Sequence, residues 1–129
     1  MKTKMVWANL PVKDIERTNE FFLALGFTPN GDRTAEIVSF IIAENKFIIN
    51  FFQEEQFKTA TESAIPDTKK SAEIIFSLSA ESREEVNEWA QKVKKAGGTV
   101  FSEAQEIQGN MYNMAFADPD GHRWNVLYC

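Results

Sequence analysis

Hydrophobic and polar side chains alternate near the start of the chain, with the period of two that is typical of a β-strand. The pattern predicts a strand from about Met5 to Val12. One side of this strand carries Val6, Ala8, Leu10 and Val12. The opposite side carries Trp7, Asn9 and Pro11. The first, more apolar side is expected to lie under the helices, and the second side is expected to face away from them.

Helical spacing follows the first strand. A helix is predicted from about Asp14, a residue suited to capping, to Leu25, with Gly26 ending it. A tight hairpin connection at 43–45 is expected between the next two strands. Those two strands are predicted at about Glu36–Ile42 and Lys46–Phe52. Residues 53–70 are polar and show no period, which predicts an irregular connection over the surface.

The second half of the chain repeats this order. A strand is predicted from about Ala72 to Leu78, and a helix from Ser82, whose capping box has Glu85 at the third position. Gly97-Gly98 ends that helix. Three strands are predicted after it, a short one at about Thr99–Phe101 before a polar loop, then about Met111–Ala117 and His122–Tyr128.

The order of elements therefore reads βαβββ twice, which predicts an α+β fold in one domain spanning 1–129. Module 1 would cover about 1–60 and module 2 about 71–129. Laying Val12 on Leu78 superposes the two opening strands without gaps. Each module alone would expose an apolar sheet face, so the two are expected to pack together. Helices would cover one face of each sheet, and the other faces would curve round a shared cleft.

Composition and charge narrow the function classes. Fourteen Lys and Arg against nineteen Asp and Glu give a net charge of −5, the opposite sign to that of a non-specific nucleic-acid binder. The densest apolar run, Ile37–Ile42, is far shorter than the roughly 20 residues that span a membrane. The single cysteine, Cys129, permits no disulfide framework and fits a reducing compartment. A cytoplasmic protein without nucleic-acid or membrane partners is expected.

Two sequence motifs resemble a known family. Residues 8–17 read ANLPVKDIER and are followed by Phe21-Phe22 and Leu25-Gly26-Phe27, and residues 116–124 read FADPDGHRW. Together they resemble the vicinal oxygen chelate superfamily, which includes glyoxalase I, bleomycin-resistance proteins and extradiol dioxygenases. The Asn-Leu-Pro-Val start resembles most closely the small bacterial proteins described as predicted lactoylglutathione lyase-like.

The resemblance implies two βαβββ modules that form an open, U-shaped β-barrel, often in homodimers. It also implies that the family's enzymes hold a divalent metal. One ligand would come from each module's first strand, usually His, and one from each module's last strand, usually Glu. Carried over to this sequence, the first-strand positions match Trp7 and Glu73, and the last-strand positions match Asn50 and Asn125.

The residue types at these four positions argue against a metal site. Divalent cations prefer carboxylates and imidazoles, whereas Trp offers only an N–H donor and Asn only a neutral amide. Glu73 alone would supply negative charge, so no metal or other cofactor is predicted. Replacement ligands from Glu54, Glu55 or His122 are the alternative. His122, the only histidine, follows a tight turn and is expected to be exposed.

Glu73 has two interpretations. A carboxylate in an apolar cleft could act as a general base. A carboxylate beside a cation would instead form an ion pair, and Arg123, two residues before Asn125, is expected to share its face. The ion pair is the favoured interpretation, and both are compatible with ligand binding.

Aromatic and apolar side chains are expected on the same face, namely Trp7, Ile48, Phe52 and Leu127. They would either stack on a flat or apolar ligand or simply fill the barrel. Asn9, Tyr112 and Asn113 could add hydrogen bonds to a ligand or satisfy the backbone. The candidate ligand-binding set is therefore Trp7, Asn9, Asn50, Phe52, Glu73, Tyr112, Asn113, Arg123 and Asn125.

Three function hypotheses follow. The first is a dimeric protein that binds a small organic molecule in its cleft without a metal, as in the bleomycin-resistance branch. The second is a glyoxalase-type lyase or isomerase acting on a small carbonyl or thiol adduct, which the missing metal ligands disfavour. The third is a metal-free enzyme with Glu73 as its general base.

Overall fold

The computed structural model describes residues 1–44 and 47–129 and divides them into two compact units. The units are Met1–Pro66 (unit 1) and Asp67–Cys129 (unit 2). Asn45 and Lys46, where the sequence predicts the end of the hairpin connection and the start of the next strand, lie outside the described residues. The predicted order βαβββ occurs in each unit, which confirms the α+β fold class.

Unit 1 contains a four-stranded mixed sheet. Its elements are β1 (Trp7–Val12), α1 (Ile15–Ala24), β2 (Thr28–Pro29), β3 (Ile37–Ala43), β4 (Phe47–Gln53) and α2 (Glu54–Thr61). The strands lie in the order β1-β4-β3-β2, with β1 parallel to β4 and the other neighbours antiparallel. Asn50 lies directly opposite Asn9 on one side and Ser39 on the other. This register fixes which side chains share a face.

Helix α1 covers one face of this sheet. The Asp14 carboxylate caps the helix by accepting a hydrogen bond from the backbone N–H of Arg17 at 3.1 Å. The ring of Phe22 stacks on Phe51, with 4.6 Å between centroids, and lies 5.7 Å from the ring of Phe40. Because successive strand residues point to opposite sides, the residues that alternate with this aromatic core face away from α1.

Unit 2 repeats the arrangement with a longer helix. Its elements are β5 (Ile75–Ser79), α3 (Arg83–Ala96), β6 (Thr99–Ile107), β7 (Met111–Ala117) and β8 (Arg123–Tyr128). The strands lie in the order β5-β8-β7-β6, with β5 parallel to β8 and the other neighbours antiparallel. The same strand order in both units gives each sheet one parallel and two antiparallel pairings.

Helix α3 packs against β6, β7 and β8. The predicted capping box is confirmed, since the Ser82 hydroxyl accepts a hydrogen bond from the Glu85 backbone N–H at 3.0 Å. The core beneath the helix is aromatic. Trp124 is fully buried. Its ring is parallel to that of Phe116, with 6.1 Å between centroids, and its centroid lies 5.1 Å from that of Phe76.

The largest differences from the prediction lie in two segments. The connection at 53–70 is not irregular throughout, because it contains α2, which packs against β1 and β4. Its N-terminus is stabilised by the Gln53 side chain, which accepts a hydrogen bond from the Glu55 N–H at 2.8 Å, and by the acidic residues of the first turn. Strand β6 has nine residues rather than three, because its pairing with β7 continues through polar residues. None of the helices in the described parts of the chain is long and apolar enough to cross a membrane.

Gly121 ends the turn before β8, and substitution with alanine is expected to destabilise unit 2 by about 2 kcal/mol. Its φ is +92°, and an added Cβ would lie 2.8 Å from the carbonyl oxygen of Thr68. Gly109→Ala is the matched control, since φ is +72° there but the space is open. We expect about 1 kcal/mol for that variant in chemical denaturation. Equal losses for the two variants would contradict the close approach of Thr68.

Candidate functional site

The sheet face opposite α1, which we call the unit 1 face, carries a row of polar side chains across three strands. Asn9, Asn50 and Ser39 are directly paired neighbours in this row, so their side chains share one face. The Nδ2 atom of Asn50 donates a hydrogen bond to Oδ1 of Asn9 at 3.0 Å. The Nδ2 atom of Asn30 donates to Oγ of Ser39 at 3.1 Å. The row is therefore built from uncharged amide and hydroxyl groups.

Apolar side chains flank this polar row on both sides. One flank consists of Trp7, Ile48 and Ile41. The other flank consists of Pro11, Phe52 and Ile37. Trp7 is 50% exposed, so part of its ring is open to stacking. The structure thus places four of the predicted site residues, Trp7, Asn9, Asn50 and Phe52, on one face.

The sheet face opposite α3, which we call the unit 2 face, is arranged in a similar way. Ser77, Asn125 and Ala115 are directly paired across three strands. The Oδ1 atom of Asn125 is buried and accepts no hydrogen bond from the described residues. Asn113 and Leu127 are paired in the next row. The predicted residues Asn113 and Asn125 therefore share this face.

Arg123 also belongs to the unit 2 face, but its charge is already engaged. Its guanidinium carbon lies 4.8 Å from the ring centroid of Phe101, a cation–π contact. Its Nη2 atom donates a hydrogen bond to the carbonyl oxygen of Lys69 at 3.3 Å. Among the residues that the structure describes, it forms no ion pair with Glu73. The predicted Glu73–Arg123 pair is therefore wrong.

Glu73 lies outside the unit 2 face, contrary to the prediction. Strand β5 begins at Ile75, so Glu73 precedes the strand, and its side chain is exposed. An exposed carboxylate ahead of the strand has neither the apolar surroundings nor the position that a base or a metal ligand in the site would need. The structure gives no support to Glu73 as a catalytic or ligand-binding residue.

The error in placing Glu73 comes from the overlay of Val12 on Leu78. The helix caps are a better reference, since Asp14 and Ser82 both begin the helix that follows the first strand of their unit. Aligning the caps shifts the overlay by two residues. This alignment matches Trp7 with Ile75 and leaves Glu73 opposite Met5, before either strand.

Tyr112, a candidate for hydrogen bonding to a ligand, contacts helix α3. Its hydroxyl donates a hydrogen bond to Oδ1 of Asn87 on α3 at 2.9 Å. The guanidinium carbon of Arg83, also on α3, lies 5.0 Å from the centroid of the Tyr112 ring. Adjacent strand residues point to opposite faces, so Tyr112 and Asn113 cannot both lie on the unit 2 face.

The turn at 118–122 holds a buried polar cluster that the sequence did not predict. His122, expected at the surface, is buried. The Oδ1 atom of Asp118 accepts hydrogen bonds from the backbone N–H groups of Asp120 and His122, both at 3.0 Å, and Oδ2 accepts from Nε1 of Trp124 at 3.2 Å. Burial raises the pKa of Asp118 to about 6, against the opposing charge of His122. The position of Asp118 at the start of a turn was the only signal of this cluster.

The residues at the four positions where the resemblance implies metal ligands do not fit a divalent cation. With the corrected alignment these residues are Trp7, Asn50, Ile75 and Asn125. None offers a carboxylate or an imidazole, and two offer no ligand atom at all. Within the described part of the chain, no three His, Cys, Asp or Glu side chains cluster as metal ligands do.

Comparison with known proteins adds to this geometry. The family model described as Glyoxalase/Bleomycin resistance protein/Dioxygenase superfamily matches residues 4–126. The structure of a hypothetical protein, SA1046, from S. aureus is similar, with 29% identity, a TM-score of 0.88, and coverage of 100% of this chain and 96% of that one. A glyoxalase-related enzyme from Fulvimarina pelagi has 19% identity and a TM-score of 0.87, with 99% and 89% coverage. A lactoylglutathione lyase from Agrobacterium tumefaciens has 15% identity and a TM-score of 0.70, with 99% and 95% coverage. No curated protein matches the chain.

Proposed function

Since the chain belongs to the glyoxalase/bleomycin resistance protein/dioxygenase superfamily, we propose that it binds a small organic molecule on the unit 1 face without a metal ion. The observation that carries the proposal is the uncharged polar row between two apolar flanks. Binding sites for small molecules combine apolar surface with a few polar groups that fix orientation. Trp7, Asn9, Asn50 and Phe52 supply both elements on one sheet.

The proposal that no metal ion takes part in binding rests on the chemistry of the side chains. A metal-dependent reaction needs ligands that offset the dehydration of the cation, usually carboxylates and imidazoles. Trp7 and Ile75 stand at the first-strand positions, and Asn50 and Asn125 at the last-strand positions. Four neutral side chains would leave a divalent ion weakly held at ordinary free concentrations. No step of the proposed function involves a metal.

Binding is favoured over catalysis because the described strand residues of the two faces carry no free acid or base. Proton transfer requires a titratable group within hydrogen-bond reach of the reacting atom. The charged side chain on β8, Arg123, is engaged by Phe101 and Lys69, and Glu73 lies outside the face. Sequestration of the ligand, as in the bleomycin-resistance branch that the sequence resembles, is the function that these groups support.

We also propose that the protein acts as a cytoplasmic homodimer. The resemblance implies dimers, and exposed apolar side chains such as Ile74, Ile75 and Phe101 offer area that a second copy could cover. The lone, exposed Cys129 suits a reducing compartment. Sedimentation equilibrium of the full chain would test the dimer, and a single monomeric species at micromolar concentration would contradict it.

Purified, tag-free protein prepared without chelator is expected to contain well below one equivalent of any transition metal. It is also expected not to isomerise the methylglyoxal–glutathione adduct at a useful rate, because the side chains at the four ligand positions would hold a metal only weakly. Elemental analysis and a spectrophotometric assay in the presence of added Zn²⁺, Ni²⁺ or Mn²⁺ are the measurements. A stoichiometric metal that is lost in Asn50→Ala would overturn the metal-free proposal.

The ligand itself can be sought by thermal-shift screening of metabolites and antibiotics. A hit that raises the melting temperature of the parent should have a smaller effect on Asn50→Ala, because that variant breaks the polar row. Lys92→Ala, on the exposed side of α3, is the matched control and should respond like the parent. Equal responses of all three proteins would place the binding site elsewhere.

A further inference from the structure

We infer that the Asn9–Asn50 pair recognises the edge of an uncharged cyclic amide, a lactam, whose ring stacks on Trp7. The inference rests on the proposed function and adds to it the chemical class of the ligand. It follows from the amide groups of the pair that lie outside their mutual hydrogen bond, from the uncharged side chains that neighbour the pair on the unit 1 face and from the position of the indole.

The hydrogen bond between the two asparagines leaves the amide nitrogen of one side chain and the amide oxygen of the other outside it. The bond from Nδ2 of Asn50 uses Oδ1 of Asn9. A carboxamide has two N–H donors and one carbonyl acceptor, so Nδ2 of Asn9 and Oδ1 of Asn50 remain outside this bond. The two residues are directly paired on neighbouring strands. A lactam carries an N–H and a C=O side by side, and could donate to Asn50 while accepting from Asn9.

The surroundings of the pair select an uncharged ligand. The neighbouring row members are Ser39 and Asn30, and the flanking positions are apolar. A carboxylate or an ammonium group placed there would lose hydration without gaining an opposite charge from these row and flanking side chains. A neutral amide loses less hydration and regains its hydrogen bonds from the asparagines.

Trp7 adds a flat surface next to the amide pair. It precedes Asn9 by two residues on β1 and therefore shares its face, about 7 Å along the strand. Half of its surface is exposed, and Ile48 lies beside it. Indole rings favour offset stacking on other aromatic rings. A lactam fused to an aromatic ring would reach both groups.

The test uses 2-quinolinone as the probe, with the full chain labelled with ¹⁵N. We expect 2-quinolinone to shift the side-chain amide signals of Asn9 and Asn50 and the indole signal of Trp7. N-methyl-2-quinolinone, which lacks the N–H, and quinoline-2-carboxylate, which is anionic, should each bind about tenfold more weakly. These two compounds keep the bicyclic ring and change only the hydrogen-bonding edge.

The isosteric variant Asn9→Asp should reverse the preference of the protein between 2-quinolinone and 2-aminoquinoline. The carboxylate can still accept the hydrogen bond from Asn50, but its second oxygen replaces the Nδ2 donor. The variant should bind 2-quinolinone about tenfold more weakly than the parent does. It should bind 2-aminoquinoline about tenfold more tightly, because the ring-protonated form of that compound presents two donors to the carboxylate. Asn110→Asp, in the exposed turn before β7, adds the same charge away from the pair and should leave both affinities unchanged.

The outcomes of these experiments test the inference and the proposed function separately. If the quinolinone and its N-methyl derivative bind equally and shift Trp7, the face binds aromatic compounds without reading an amide, so the inference fails while the proposed function stands. Absence of any shift at Asn9 and Asn50 with all probes also overturns the inference. The proposed function fails separately if the metal analysis finds a stoichiometric ion that depends on Asn50.

Discussion

Asp118→Asn is expected to remove a pH dependence of stability amounting to about 2 kcal/mol between pH 4 and pH 7. The carboxyl group is buried and accepts hydrogen bonds from Asp120, His122 and Trp124. Its pKa is raised from 3.8 to about 6, mainly because burial disfavours the ionised form. An asparagine at this position cannot titrate, so the variant should lack the corresponding change.

The sign follows from proton binding. The folded protein keeps a proton on Asp118 up to about pH 6, whereas the unfolded chain releases it near the reference pKa of 3.8. The folded state therefore binds more protons in this window, and its stability falls as the pH rises. The contribution of Asp118 is fully present below about pH 3.8 and is lost as the pH rises through about 6. The parent should thus exceed Asp118→Asn in stability by more at pH 4 than at pH 7.

Urea unfolding of both proteins at several pH values measures this difference. Comparing each variant with the parent at the same pH cancels the titration of groups that both share. His122→Gln is the control, since it retains Asp118 and should retain the decrease of stability with pH. If the gap between the parent and Asp118→Asn stayed constant from pH 4 to pH 7, the raised pKa of Asp118 would be wrong.

The fold was predictable because local signals agree with the tertiary arrangement. Alternation on β1, the Asp14 cap and the Ser82 capping box each mark an element that the structure contains. The family resemblance was also predictable, since its two motifs lie in the strands and turns that define the repeated unit, and it is confirmed by the match over residues 4–126. Each of these features depends on neighbours in sequence.

The missed elements lack such local signals. Helix α2 has one large apolar residue, Phe57, in eight positions and buries none of its residues, so its sequence carries no apolar stripe. Strand β6 lies at the sheet edge and pairs on one side with β7, and its outer half is polar. Edge strands need less apolar sequence because much of their surface stays in water.

The face on which a candidate residue lies was predictable only where alternation alone determines it. Asn9, Asn50 and Asn125 were placed correctly because they lie within strands whose register follows from their pattern. Glu73 was misplaced because it precedes β5, where alternation continues in the sequence but pairing does not. The burial of His122 depends on the turn packing against the segment around Thr68, more than 50 positions away, which no local pattern encodes.

Trp124→Ala is expected to destabilise the protein by about 3–5 kcal/mol, whereas Trp7→Ala should cost less than about 1 kcal/mol. The two residues are chemically identical and differ in surroundings. Trp124 is fully buried between Phe76 and Phe116 and donates its indole N–H to Asp118. Trp7 is 50% exposed at the start of β1. Truncating Trp124 leaves a cavity and an unpaired oxygen on the Asp118 carboxylate. Truncating Trp7 exposes little buried apolar surface, because half of its side chain is already in water.

The same pair of variants separates stability from binding. Because Trp7 flanks the polar row, Trp7→Ala should weaken a ligand of the unit 1 face several-fold while leaving urea unfolding almost unchanged. Trp124→Phe, which keeps an aromatic ring beneath α3, should be destabilised by about 1–2 kcal/mol and bind the ligand as the parent does when measured below its unfolding transition. Chemical denaturation gives the first quantity and ligand titration the second. A large loss of stability in Trp7→Ala would mean that its ring belongs to a core, and a Trp7→Ala variant with unaltered ligand affinity would remove the indole from the proposed site.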